Sequence, residues 1–146
     1  MKMENSEKNK ELLKYINKNA KMGADNLETV LGDVRDCTLK QTLTSQIAEY
    51  RSVERQAREK LKALGEEPSE NKLSGMCVRA MINMKTMMDK SVGHIAEMVL
   101  QGSNMGIIDI TKQLKNTDGC ADDSVNLAYR LKCIEQKNLD EMKHYI

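Results

Sequence analysis

Phenylalanine and tryptophan are absent from the 146 residues, tyrosine occurs four times and proline once. That poverty argues against a β-sandwich or barrel, whose strands draw on aromatic and β-branched residues punctuated by turns. No charge of one sign dominates. Lysine and arginine number 23 against 22 acidic residues, a net charge of +1, so no basic field draws the chain to nucleic acid or anionic lipid. No apolar run approaches membrane-spanning length, and the opening MKMENSEKNKELLKYI lacks the apolar core of a signal peptide. The expectation is a cytoplasmic protein with neither membrane nor nucleic acid as partner. Cys37, Cys77, Cys120 and Cys133 contain no Cys-x-x-Cys pair and fit no zinc template. They read as reduced thiols, with redox sensing at Cys37 or Cys120 as the alternative. The length allows one domain, residues 1–146.

What is present is helical periodicity. Residues 6–34 space Leu12, Ile16, Ala20, Gly23, Leu27, Val30 and Val34 three and four apart, one face of a long helix. After a break at Gly32–Asp36, Thr38 and Gln41 have the spacing of a capping box for a second helix. Its stripe is Leu39, Leu43, Ile47, Tyr50, Glu54, Ala57, Leu61 and Leu64, stopped by Gly65 with Pro68 behind it. Two such helices joined by a few residues form an antiparallel hairpin.

A shorter methionine-rich helix is predicted over 72–89, then Ser91 as the N-cap of a helix over 92–115. That helix turns Val92, Ile95, Val99, Ser103, Gly106, Ile107, Ile110 and Leu114 inward. Asp122 or Asp123 caps a last helix over 123–145, with Ala128, Leu131, Ile134, Glu135, Asn138, Met142 and Tyr145 inward. The fold class is therefore all-α: a four-helix bundle of two antiparallel hairpins. The short helix is the crossover between the second and third long helices. A simple up-and-down bundle, with 72–115 continuous and bent at Gly93, is the alternative.

One long hairpin, a crossover and a second hairpin resemble the ferritin-like superfamily. The stretch MINMKTMMDKSVGHIAEMVLQGSNMGIIDITKQLK, residues 81–115, is similar to small ferritin-like proteins of low-GC Gram-positive bacteria. The resemblance implies a carboxylate-bridged di-iron or di-manganese centre, built from one Glu on each of two helices and Glu-x-x-His on each of the others. This chain departs from that pattern. The second helix has no histidine, the third places Ser103 where a Glu is wanted, and the fourth reads Glu135-Gln-Lys-Asn138. Glu141 and His144 have the literal spacing but sit at a C-terminus, where helices fray. The remaining candidate metal donors are Glu54, Glu135 and Asn138, with His94 and Glu97 as a reversed pair.

Glu54, Ser103, Glu135 and Asn138 lie on or beside apolar stripes. They form either a buried polar network, the trace of a lost metal site, or a margin with its carboxylates in water. Gly102 and Gly106 are spaced for close helix approach, within the bundle or at a dimer seam. Seven of eleven methionines fall between residues 76 and 105, filling core gaps or forming an adaptable partner surface. No phosphate loop or nucleophile elbow is present. The leading expectation is a non-catalytic bundle with no cofactor, acting on an unknown protein partner or as a homodimer. The alternative is an iron- or manganese-binding or oxidoreductase bundle with a non-standard site.

Overall fold

The computed structural model describes residues 2–67 and 88–146. Within them lie four helices: α1, Lys2–Leu31; α2, Cys37–Ala63; α3, Val92–Leu114; and α4, Asp122–Lys143. No strand occurs among the described residues. The helix expected over 72–89 falls almost wholly outside them.

Contacts at the two ends fix the topology. At the α1–α2 turn, Asp33 pairs with Lys90 at 3.1 Å. One turn into α2, Thr42 shares a 2.9 Å hydrogen bond with the hydroxyl of Tyr145, just past the end of α4. At the other end Lys60 of α2 pairs with Asp123 of α4 at 2.6 Å. The Ala121 N–H there donates to Asn9 Oδ1 of α1 at 3.1 Å. Helices α2 and α3 therefore start at the same end and run parallel, as do α1 and α4. Glu67 and Met88 lie at opposite ends of the bundle, which is the long-crossover arrangement and not the up-and-down one. α1 packs chiefly on α2 and α3 on α4, while α2 and α3 touch least.

Local chemistry explains the boundaries. The carboxylate of Asp36 accepts from the Leu39 N–H at 2.8 Å, so Asp36 caps α2. This corrects the Thr38–Gln41 box: both residues already lie inside the helix. At the far end Glu66 N–H reaches Leu61 C=O at 2.9 Å and Gly65 N–H reaches Lys62 C=O at 3.0 Å. That Schellman pair needs the left-handed backbone Gly65 adopts at φ 78°. Ser91 caps α3 through the His94 N–H. α4 is corrected too. Its N-cap is Ala121, which has no side-chain bond, while Asp122 and Asp123 fill the first turn and favour it through the helix dipole.

The core is almost entirely aliphatic, with Leu13, Ile16, Leu39, Leu43, Leu61, Ile95, Ile110, Leu131 and Met142 fully buried. On α2 the inward face is Leu39, Leu43, Gln46, Tyr50, Val53, Ala57 and Leu61. Expected there were Ile47, Glu54 and Leu64. Ile47 is only partly buried and Leu64 is exposed. Val53 takes the place given to Glu54, because one residue along a helix rotates a side chain by about 100°. Glu54 is carried out to Arg51 instead, at 3.0 Å.

Candidate functional site

Halfway along the bundle the aliphatic core is interrupted by a polar cluster drawn from several helices. α2 contributes Tyr50, α3 contributes Ser103 and α4 contributes Glu135 and Asn138, and all four are buried. The Tyr50 hydroxyl donates to Glu135 Oε2 at 2.6 Å, at the short end of the O–H···O range. Two glycines make room. A Cβ on Gly23 of α1 would sit 2.8 Å from the Tyr50 ring, and one on Gly106 of α3 would sit 2.6 Å from Glu135 Oε1. The phenol thus lies close against α1 and the carboxyl close against α3.

Burial pushes the Glu135 carboxyl up to about 7, against a weaker downward pull from the Tyr50 and Ser103 hydroxyls. The Tyr50 phenol is driven well above its ordinary range by burial and by the neighbouring Glu135. Tyr15 of α1 is raised by burial, with Asp109 and Glu135 adding to it. Both amide atoms of Asn138 are buried without a hydrogen-bond partner, as is Oε1 of Gln46 one turn from Tyr50. The Gln46 amide nitrogen reaches Glu141 at 3.4 Å.

The expected site residues fall in separate places. Ser103, Glu135 and Asn138 come together as a buried polar cluster. Glu54 does not join them: Arg51 holds it together with Asp25, at 2.7 Å, and Glu28, at 3.0 Å, in a partly exposed cluster across α1 and α2. His94 is partly buried and Glu97 exposed, both in the first turns of α3 near the α1–α2 turn. About 18 Å of helix rise separates His94 from Gly106. Gly102 and Gly106 also part company. Gly106 is a contact inside the bundle, while a Cβ on Gly102 would meet nothing within 4 Å.

Among the described residues, no three His, Cys, Asp or Glu side chains stand close enough to share a metal ion. The central donor set also argues against a pair of divalent ions. One carboxylate is surrounded by a phenol, a serine hydroxyl and an amide, all neutral, and dinuclear centres rely on several carboxylates to balance the charge. At the α1–α2 turn a surface cleft of about 390 Å³ is lined by Asp33, Arg35, Asp36, Lys90 and Val92, among others. Its acidic and basic side chains offset one another.

Sequence reasoning missed Tyr50 as the partner of Glu135, and Gln46 as an inward residue. Tyr50 stood on the predicted stripe, and a tyrosine in a core without Phe or Trp is the signal that its hydroxyl has a task there.

Residues 9–116 match the protein family described as a domain of unknown function, DUF2383. The chain belongs to this family. DUF2383 lies in the ferritin-like superfamily, in accord with the crossover between α2 and α3. The matched region takes in α1 from Asn9, α2 and α3 but ends before α4, so Glu135 and Asn138 lie beyond it. No curated protein and no solved structure matches the chain.

Proposed function

We propose that this DUF2383 protein is a non-catalytic cytoplasmic bundle that works by protein–protein contact, and that the contact is with a second copy of itself. The observation that carries this reading is the outward face of α3. From Met98 to Ile108 the helix has eleven residues and no charge. A surface helix of a soluble bundle ordinarily carries charge on its solvated side. Here that side presents Gln101, Gly102, Asn104, Met105 and Ile108, all exposed, with Met105 at 42% and Ile108 at 46%.

A two-fold contact sets each patch against its own image, so a charged face meets its own sign there. An uncharged face pairs with itself without that repulsion, and Gly102 adds a place where backbones can approach. Roughly half of each apolar side chain is left to bury, on the order of 1 kcal/mol apiece. Four such side chains across the contact predict a weak, concentration-dependent dimer. The free thiols Cys37, Cys120 and Cys133 accord with a reducing compartment.

Sedimentation equilibrium over a wide concentration range tests the reading, with wild type beside Met105→Glu and Ile108→Glu. Reversible dimerisation abolished by either glutamate supports it. A wild type monomeric at every concentration, or a dimer indifferent to both substitutions, sinks it.

A further inference from the structure

Among the described residues Glu135 is the one buried carboxylate, 5% exposed in a core otherwise of aliphatic side chains and neutral polar groups. The groups facing it can be named helix by helix. α1 presents the Tyr15 phenol, which Asp109 of α3 also influences, α2 the Tyr50 phenol, and α3 the Ser103 hydroxyl. On its own helix the buried neighbour is Asn138. None of these is a cation, and Glu135 enters no ion pair among the described residues. Its other oxygen lies against Gly106, where even a methyl group would not fit.

A carboxylate buried this way has no counter-charge among the described residues, and an unpaired buried charge costs several kcal/mol. We propose that Glu135 is a proton-operated lock on the bundle. As the neutral acid it accepts the Tyr50 O–H and lets α3 and α4 close on each other at Gly106. When it ionises, the proton passes to entering water and α3 loosens from α4 at that level. The inference is independent of the α3 contact proposed above. It concerns the inward side of the same helix, and it holds for a monomer as for a dimer.

The direction follows from linkage. The native state keeps the proton to higher pH than the unfolded chain does, so stability is full below the unfolded value and falls as pH rises through the native one. Thermal melts and amide hydrogen exchange between about pH 5 and about pH 8 test this, on wild type, Glu135→Gln and Tyr50→Phe. Wild type should lose melting temperature across that range. Its amides around Gly106 should exchange faster than the intrinsic pH effect explains, and Glu135→Gln should show neither change. Infrared spectra with isotope-labelled glutamate should show a protonated carboxyl at the acid end that disappears toward the alkaline end.

Tyr50→Phe removes a donor that favours the anion, so its transition should move to higher pH, and it keeps the test open if Glu135→Gln does not fold. Parallel pH profiles for wild type and Glu135→Gln overturn the lock. So does an ionised Glu135 at the acid end, or an unmoved transition in Tyr50→Phe.

Discussion

Tyr50 and Glu135 meet at 2.6 Å across the α2–α4 interface, and each is seated against a glycine of a third helix, Gly23 behind the ring and Gly106 behind the carboxyl. The bond joins the two hairpins at mid-height, between the polar contacts of Thr42 with Tyr145 at one end and Lys60 with Asp123 at the other. It also places the most deeply buried acid among the described residues at mid-height in the bundle.

Gly106 and Gly102 should respond in opposite ways to alanine. Alanine is the better helix former by about 1 kcal/mol, and at Gly102 an added Cβ meets nothing, so Gly102→Ala should gain close to that amount. At Gly106 the methyl would overlap Glu135 Oε1, so Gly106→Ala should lose about 1–3 kcal/mol through overpacking. Urea unfolding of the two variants gives the comparison. The double variant Gly106→Ala, Glu135→Ala should recover part of the loss.

Asn138→Leu should leave stability unchanged or raise it by about 1 kcal/mol, because it removes two buried polar atoms that have no partner. A loss of about 2 kcal/mol or more would mean that the amide is satisfied in solution. The urea midpoint at constant slope is the readout.

Gly65 takes φ 78° at the end of α2, and a left-handed backbone costs an L-residue about 1–2 kcal/mol. Gly65→Ala should lose about that much. Gly32, which has no such backbone requirement and no neighbour within 4 Å of an added Cβ, should tolerate alanine. Thermal melts of the two variants decide it.

The pH dependence that Glu135 confers should amount to about 3 kcal/mol at most, the free energy equivalent of a carboxyl raised from 4.5 to about 7. Its sign is a loss of stability as pH climbs between those two values, the reverse of an acid held low by an ion pair. Denaturant titrations of wild type against Glu135→Gln at a series of pH values measure it.

Much of the fold was legible because helices declare themselves locally. The Gly65 stop, the Ser91 start and the buried stripe of α4 from Ala128 to Met142 rest on spacing and capping within one segment. The second stripe slipped by one residue in its middle. Ile47 and Val53 are both apolar, and only the packing of α1 and α4 chooses between 46–50–53–57 and 47–50–54–57. The caps of α2 and α4 went astray for a similar reason. Asp36 and Thr38 both suit an N-cap, and the turn geometry decides which oxygen reaches the Leu39 amide.

The candidate site divides along the same line. Placing Ser103, Glu135 and Asn138 at a common level needed only helix rise and a short loop. That Glu135 is bonded by Tyr50, that Glu54 is drawn away by Arg51, and that Gly106 faces in while Gly102 faces out are relations between residues far apart in the chain. By itself the sequence determined four amphipathic helices, their order and an aliphatic core, because periodicity and capping act over a few residues. The tertiary structure alone decided which polar side chains meet and how deeply the carboxylate is enclosed. Burial, counter-charge and van der Waals room belong to the assembled helices and not to any one of them.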